Sequence, residues 1–443
     1  MNIIDEFDTI TAISTPIGTG GVGVIRISGD RAFDIIEKIF TNPNFEPRKF
    51  NHGWIIDNGK QIDEVIVLPF FGPNSYTGEN VVEIQCHGGV NVVKNILEIV
   101  LKNGARLAER GEFTKRAFLN KRLDLSQAEA VADIIHSKTS DFAKVSAKNL
   151  SGVLKDKINS IKNDIFEVLS RITAGIDFPE DVKEPEYDWL KECFEKIIKD
   201  IDSVLAGAKT SNIFRQGATV AIVGKPNVGK SSLFNALLNL DRAIVTEIAG
   251  TTRDVLKETL DLGIPVTLTD TAGIRESGDN KVEDIGIEYS KQSLNEADLV
   301  LFVYDASKGI NNDDKNILEL LKDKKHIIIA NKADLIKERT QDALYISTLT
   351  GEGVNELKNI LTQKVCDIEP ENLEFVTNTR QQECLTKSKN SLEQALLASQ
   401  LNELQDLISI DVKSALLALD ELTGELITDD ILDNIFDHFC IGK

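Results

Sequence analysis

The sequence predicts a multidomain chain, part α/β and part all-α: an N-terminal α/β domain, a central helical domain, and a doubly wound α/β domain inserted into the helical one. Three observations predict this. β-rich and amphipathic helical segments mix over residues 1–120, helical spacing takes over from Leu123, and two helical blocks flank residues 217–365, where strands and helices alternate as in a parallel sheet. A chain of 443 residues is long enough for about three such cores.

In residues 1–120 the strand texture falls on Thr9-Ile10-Thr11-Ala12-Ile13, Val22-Gly23-Val24-Ile25-Arg26-Ile27-Ser28, Glu64-Val65-Ile66-Val67-Leu68 and Asn80-Val81-Val82-Glu83-Ile84-Gln85-Cys86. Asp30 to Phe40 and Val90 to Lys102 carry helical periodicity. Gly18-Thr19-Gly20-Gly21-Val22-Gly23 matches G-x-G-x-x-G, but a dinucleotide site needs a helix directly behind that turn, and a β-rich run follows instead. The dinucleotide reading is rejected. Arg26 and Glu83 interrupt apolar strand patterns. Alternation places them on the wet face of a sheet or, with the Gly/Pro-rich loops 69–78 and 87–89 nearby, in the wall of a small-molecule pocket.

From Leu123 on, Ala128, Val131, Ile134, Ile135, Phe142 and Val145 fall at helical spacing, continuing through Leu154, Ile158, Ile161 and Ile165 to Ile172. Turn and acidic residues between Gly175 and Pro185 interrupt the pattern, and a further helix spans Glu186 to Ala208. Helical texture returns from Thr379 to Leu419 and from Asp429 to Phe439. A compact domain with close termini tolerates insertion. The economical division is therefore residues 1–120, a helical domain of 121–216 and 366–443, and an inserted domain of 217–365, with independent helical domains on either side as the alternative.

The inserted domain carries the clearest chemistry. Gly224-Lys225-Pro226-Asn227-Val228-Gly229-Lys230-Ser231 follows the apolar run Ala218-Thr219-Val220-Ala221-Ile222-Val223 and opens the helix-like Ser232-Leu233-Phe234-Asn235-Ala236. In this G-x-x-x-x-G-K-S pattern the glycines let backbone N–H groups wrap a phosphate chain, Lys230 supplies a point charge, and the Ser231 hydroxyl can ligate Mg²⁺. Later strands deliver two polar segments at their C-terminal ends, where open α/β sheets place ligands. Asp270-Thr271-Ala272-Gly273 brings a carboxylate near the Mg²⁺ and a Gly amide toward a γ-phosphate. Asn331-Lys332-Ala333-Asp334 offers at Asp334 an acceptor for two guanine N–H groups, which adenine lacks. In this order behind the phosphate loop the segments specify GTP. The domain resembles the translation-factor-related P-loop GTPases, with a Ras-like fold, and Ser347 of Ile346-Ser347-Thr348 occupies that class's base-contacting loop, with Thr348 where Ala is usual.

Ras-like GTPases orient the attacking water with a Gln behind D-x-x-G, and this chain has Ile274 there. The water and the transition-state charge must be managed from elsewhere. Asn227 can hold a monovalent cation where an arginine finger otherwise reaches, with further oxygens from Thr246-Glu247-Ile248-Ala249-Gly250-Thr251-Thr252-Arg253-Asp254. Glu283 is a candidate for orienting water, and a surface carboxylate at a helix start is the plainer alternative.

Composition narrows the classes further. No apolar run approaches the roughly 18 residues of a membrane helix, and Met1-Asn2-Ile3-Ile4-Asp5-Glu6 lacks the basic start and apolar core of a signal peptide. Cys86, Cys193, Cys366, Cys384 and Cys440 form no C-x-x-C pair, which points to a reducing, cytoplasmic setting without disulfides or zinc. The net charge of 50 − 71 = −21 disfavours non-specific binding to DNA or RNA. A basic stretch (Lys102, Arg106, Arg110, Lys115, Arg116, Lys121 and Arg122, opposed by Glu109 and Glu112) or a basic partner can still contact RNA, and the stretch is equally a solvated face.

Segments along the whole chain resemble the MnmE (TrmE) family of tRNA-modification GTPases. They are Gly21-Val22-Gly23-Val24-Ile25-Arg26-Ile27-Ser28-Gly29, Gln85-Cys86-His87-Gly88-Gly89, Gly111-Glu112-Phe113-Thr114, Leu123-Asp124-Leu125-Ser126-Gln127-Ala128-Glu129-Ala130, Ala249-Gly250-Thr251-Thr252-Arg253-Asp254 and the final Cys440-Ile441-Gly442-Lys443. The resemblance implies an N-terminal domain that binds a tetrahydrofolate derivative and dimerises, the central helical domain, and the inserted G domain. It further implies a homodimer that works with the FAD-carrying protein MnmG on the C5 position of the wobble uridine of certain tRNAs, using a methylene-tetrahydrofolate carbon, with K⁺ activating hydrolysis as the G domains pair.

By the same resemblance, Asn227-Val228-Gly229-Lys230-Ser231-Ser232, the 246–252 segment, Asp270 to Gly273, Asn331, Lys332, Asp334 and Ser347 contact GTP. Ser231 and Thr252 match Mg²⁺ ligands, Asn227, Thr246, Ile248 and Thr251 the K⁺ shell, and Glu283 the catalytic carboxylate. Arg26, Glu83, Arg122 and Lys443 match folate contacts, with Lys121 a register alternative to Arg122. Folate's polyanionic tail suits Arg or Lys, and its pterin N–H groups suit a carboxylate. Cys440 is a reactive thiol or an inert one. A ribosome-assembly or translation GTPase, and a folate-dependent transferase with a regulatory GTPase, are the rival functions.

Overall fold

The structure, a computed structural model, describes residues 8–47, 49–240, 257–262, 264–270, 297–340, 342–365 and 373–443. These residues begin with β1 (Ile10–Ile13), β2 (Val22–Ser28), α1 (Ala32–Ile39), β3 (Asn51–Asp57), β4 (Lys60–Phe70), β5 (Val81–His87), α2 (Val90–Lys102), β6 (Arg106–Leu107), α3 (Glu112–Leu119) and α4 (Leu125–His136). Four helices come next: α5 (Ser140–Ser151), α6 (Val153–Asp177), α7 (Tyr187–Leu205) and α8 (Ala208–Gln216). Then come β7 (Ala218–Val223), α9 (Lys230–Leu240), β8 (Lys257–Asp261), β9 (Pro265–Asp270), β10 (Leu299–Asp305), α10 (Asn312–Leu320), β11 (His326–Asn331), β12 (Leu344–Ile346) and α11 (Val354–Val365). The chain closes with α12 (Thr379–Gln400), α13 (Gln405–Thr423) and α14 (Asp429–Phe436).

Two compact units divide these elements, one from Met1–Ala132 with Leu417–Lys443 and one from Asp133–Leu416. In the first, a six-stranded sheet runs β3-β4-β5-β2-β1-β6, antiparallel except for the β1–β6 pair. β2 shows why alternation matters. Ile25 and Ile27 turn into a core with Ile35, Ile36, Ile84, Ile96 and Val100, while Arg26 points to the other face. Gly18 to Gly21 leads into β2 rather than a helix, in line with the rejected dinucleotide site. β3 escapes the sequence patterns because Gly53 weakens its signal. A Cβ at Gly53 would stand 2.9 Å from the Phe40 ring, so close packing explains the glycine.

The tail from Leu417 groups with this first unit, whereas the sequence-based division places it with the central helices. The apolar face of α14 accounts for the difference. Leu432 and Phe436 are buried, and Phe436 and Phe439 close over Gly111, where a Cβ would lie 2.9 Å from the Phe436 ring.

The basic stretch divides: Lys102, Arg110, Lys121 and Arg122 are exposed, whereas Arg106, Lys115 and Arg116 pair with carboxylates. Arg116, 7% exposed, bonds Asp8 (2.7 Å), Glu112 (3.0 Å) and Glu79 (3.1 Å), and Arg106 bonds the same Asp8 and Glu112. Lys115 pairs with Asp433 at 2.6 Å. Two cations among three carboxylates satisfy one another.

In the second unit, α6 buries Leu154, Ile158, Ile161, Ile165, Val168 and Ile172, and α7 buries Leu190, Phe194, Ile197, Ile201 and Val204, both at alternating spacings of three and four. The apparently continuous helix from Ala128 to Ile172 is broken twice. Thr139 caps α5 by accepting from the Phe142 N–H, and Gly152 ends it at φ 105°. The other sheet runs β12-β11-β10-β7-β9-β8, parallel except for the edge strand β8. Its entry and exit meet, since the Thr377 N–H donates to Ser211 Oγ at 3.1 Å and Asn149 Nδ2 to the Val376 carbonyl at 2.6 Å. The doubly wound domain is thus an insertion among helices.

Burial opposes ionisation of Asp8 and Glu112, yet their bonds to Arg106 and Arg116 hold both carboxyls below the ordinary range. Carboxyls depressed in the folded chain stabilise it above their unfolded values, and that contribution is lost as pH falls through the folded ones. Arg116→Met should therefore cost about 3–5 kcal/mol at neutral pH by stranding buried carboxylates. The gap between variant and parent should shrink by about pH 4, as seen in urea midpoints. A gap that does not change with pH would count against the network.

Candidate functional site: phosphate loop, base loop and an arginine cluster

β7 lies where the strand order changes direction, and the chain leaves it through residues 224–229. At Gly224 a Cβ would stand 2.1 Å from the Val303 carbonyl, and at Gly229, φ 98°, it would stand 2.2 Å from the Asn331 side-chain nitrogen. Only glycine fits either place. Asn227 takes the left-handed conformation at φ 64°. Lys230, at the start of α9, donates from Nζ to the carbonyls of Gly224 (2.7 Å) and Lys225 (2.8 Å). Ser231 and Ser232 are exposed in the first turn of α9. Glycines that no side chain can replace, a lysine over the loop and a helix N-terminus fit a nucleotide's phosphates, and Ser231 beside them is a residue that could ligate Mg²⁺.

The segment after β11 leans on this loop. Asn331 Nδ2 donates to the Val228 carbonyl at 2.9 Å, and its Oδ1 accepts from the Thr348 N–H at 3.3 Å. Lys332, at φ 65°, donates to the Asn227 carbonyl (3.2 Å) and to Asp305 Oδ2 (2.7 Å). Burial raises the Asp305 carboxyl, but Lys332 and Ser307 outweigh it and leave it below the usual range. Ser347 Oγ donates to Asp334 Oδ1 at 2.6 Å, orienting an exposed carboxylate as an acceptor. Ser347 is itself fully buried.

A second cluster lies in the other unit. Arg26 and Glu83 are cross-strand partners on β2 and β5, bonded Nε to Oε1 at 2.8 Å, with side chains 13% and 19% exposed. They are neither on a wet face nor in the core. The Arg26 guanidinium lies 5.1 Å from the Tyr76 ring and 5.5 Å from Phe113, and that of Arg122 lies 5.2 Å from the same Tyr76 ring. Tyr76 is fixed in turn by a 2.8 Å bond between its hydroxyl and Thr114. The tail closes the cluster: the Gly442 carbonyl accepts from Ser14 Oγ and Arg26, and a Cβ at Gly442 would stand 2.4 Å from the Ile13 carbonyl. Lys443 is half-buried, and burial together with Arg26 lowers its ammonium below the usual lysine range, partly offset by Glu83 and Cys440. An anionic ligand would relieve that repulsion.

A family model described as the MnmE helical domain matches residues 125–440, and one described as the GTP-binding protein TrmE N-terminus matches residues 9–122. A tRNA modification GTPase MnmE of Clostridioides difficile (strain 630) is 44% identical, over 98% of this chain and 99% of its own. Namesakes from Thermoanaerobacter sp. (strain X514) and Thermotoga petrophila are 46% and 42% identical, over 99% and 98% of this chain and 100% of theirs. The chain belongs to the MnmE family of tRNA modification GTPases. As a member of that family it is a GTP hydrolase, using GTP with Mg²⁺.

In this MnmE-family chain the structure brings together Asn227, Val228, Gly229, Lys230, Asn331, Lys332, Asp334 and Ser347, and separately Arg26, Glu83, Arg122 and Lys443. It is Arg122 rather than its neighbour Lys121 whose guanidinium lies over Tyr76. Asp270 ends β9. Thr246, Glu247, Ile248, Ala249, Gly250, Thr251, Thr252, Thr271, Ala272, Gly273 and Glu283 lie outside the described residues, as does the Asp270 side chain. Cys440 is exposed, whereas burial pushes the Cys86 thiol up to about 11 and makes it inert. Cys86 and His87 point to opposite faces of β5, and His87 bonds Asp63 at 2.7 Å. Among the described residues, no three His, Cys, Asp or Glu side chains gather as a metal site.

Tyr76, Thr114, Asp305 and Lys225 are the residues sequence reasoning missed. Tyr76 lies in a loop singled out for its glycines and prolines, and nothing in the pattern marks one aromatic there as a spacer between two arginines. Exchanging the base acceptor tests the guanine site: Asp334→Asn should weaken GTP about a hundredfold by losing charged hydrogen bonds. Xanthosine triphosphate, with an acceptor where guanine has its amine, should regain most of that loss in a competition assay.

Proposed function

We propose that the chain is the GTP-hydrolysing member of a tRNA-modifying pair. It acts as a homodimer in the cytoplasm with an MnmG-like flavoprotein that carries FAD, and together they build an aminomethyl-type group on C5 of the wobble uridine with a methylene-tetrahydrofolate carbon. The observation that carries this is the presence, in one chain, of a guanine-nucleotide site and a separate cationic cluster with a carboxylate at its centre. In the proposed division, residues 1–120 bind folate and dimerise, 217–365 form the G domain, and 121–216 with 366–443 form the helical domain, although Lys443 from the last segment completes the folate cluster.

Within the G domain, Ser231 and Thr252 hold Mg²⁺, and Asn227 with Thr246, Ile248 and Thr251 hold K⁺. Glu283 orients water. K⁺ supplies the positive charge that an arginine finger supplies elsewhere, and Asn227, held left-handed at the open rim of the loop, is free to present its side-chain oxygen. Within the cluster, Arg26, Arg122 and Lys443 bind the folate's carboxylates and Glu83 accepts from the pterin N–H groups. None of the G-domain residues can alkylate a uridine, so GTP hydrolysis acts on the modification through conformation. The pairing of Arg106, Arg116 and Lys115 with carboxylates removes much of the basic stretch as an RNA surface. That weighs against the ribosome-associated alternative, and in this reading the partner supplies phosphate contacts beside the exposed Lys102, Arg110, Lys121 and Arg122.

Deleting the gene should abolish the C5 aminomethyl-type modification in wobble uridines, measured by nucleoside digestion and mass spectrometry. Unchanged tRNA would remove the proposal and leave a GTPase with another client. GTP hydrolysis should be faster in K⁺ than in Na⁺, by about tenfold or more given the charge to be balanced, and Asn227→Ala should erase the difference. Equal rates in the two salts would exclude the cation role.

A further inference from the structure

We infer that Lys225 is a positioning residue for nucleotide binding, held by the buried carboxylate of Asp314 so that the first half of the phosphate loop is shaped before GTP arrives. Lys225 Nζ lies 2.8 Å from Asp314 Oδ2 and also donates to Asn311 Oδ1. Both partners belong to the start of α10. Asn311 Oδ1 accepts from the N–H groups of Asp313 and Asp314, and Asp314 Oδ2 accepts from the Asn311 N–H at 3.1 Å, a reciprocal capping box.

Asp314 is 1% exposed, and its Oδ1 has no hydrogen-bond partner. A carboxylate buried with one oxygen unsatisfied is costly without a cation beside it, so removing that cation is strongly unfavourable. Lys225 is therefore held firmly. The helix cap does not require it, because Asn311 and Asp314 already satisfy each other. What the ion pair does constrain is the loop: the Lys225 carbonyl accepts from the Lys230 ammonium at 2.8 Å. Its side chain fastens to α10, and its backbone sets where the phosphate-binding lysine rests. Movement at Lys225 displaces both.

The test is titration of a fluorescent GTP analogue with Mg²⁺ into the full-length chain, together with steady-state hydrolysis and thermal melting. Lys225→Met should weaken nucleotide affinity and raise KM about tenfold, the size of a contact coupling, and should lower Tm because it leaves the buried Asp314 carboxylate without its cation. Lys225→Arg should restore most of the affinity. Asp314→Asn should weaken binding similarly, and the double variant should be no weaker than Lys225→Met alone. Parental affinity in a folded Lys225→Met, or losses that multiply in the double variant, would overturn the inference. If Asp314→Asn does not fold, the Met and Arg variants at 225 decide the matter alone.

Discussion

A phosphate loop must keep its backbone N–H groups turned toward one point, and residues 224–229, bounded by two glycines, have no internal means of staying that way. Glycine relaxes the sterics that would forbid the shape, but it also widens the set of other shapes open to the loop. The restraint comes from outside. Asn331 holds the Val228 carbonyl, Lys332 holds the carbonyl of Asn227, and the ends of β7 and α9 fix the flanks. Each restraint comes from a segment at the carboxyl end of the parallel strands, so the sheet order itself makes the site possible. A binding site assembled this way loses little entropy when its ligand arrives.

The Arg26 cluster follows a different logic. It is built on the outward face of an antiparallel sheet, where alternation exposes every second residue, and it becomes a site only because other segments roof that face. Tyr76, Phe113 and the tail at Gly442 cover Arg26 from much of the solvent while leaving it partly exposed, which strengthens its field. Stacking two guanidinium groups over one ring keeps like charges near each other at a tolerable cost. The first unit thus holds a preformed cationic surface, and the second holds a nucleotide site. The two chemistries need not share a pocket.

Much of this was legible in the sequence. Long periodic segments such as α2 and α6, the strand–loop–helix around Lys230 and the base segment at Asp334 all announce themselves through local rules that tertiary context does not override. Arg26 and Glu83 stood out as polar residues in apolar strands, but their being bonded partners depends on register between strands far apart in sequence. The same limit hid the Arg106 and Arg116 network: among seven basic residues close together nothing local separates these two and Lys115 until the folded chain brings Asp8, Glu79 and Asp433 against them. The break at Gly152 is a different case. A lone glycine in helical texture is tolerated often enough that only its left-handed φ reveals a terminus.

Asn331 joins the two halves of the nucleotide site through one amide. Its nitrogen supports the phosphate loop and its oxygen supports the loop behind Ser347. Asp334, by contrast, is exposed and held at one oxygen by Ser347 of the neighbouring loop. The two positions therefore differ in how freely descendants of this chain can vary. Taste for a different base can evolve at the rim, one acceptor at a time, while the hub is locked, because any change there loosens the grip on every nucleotide at once.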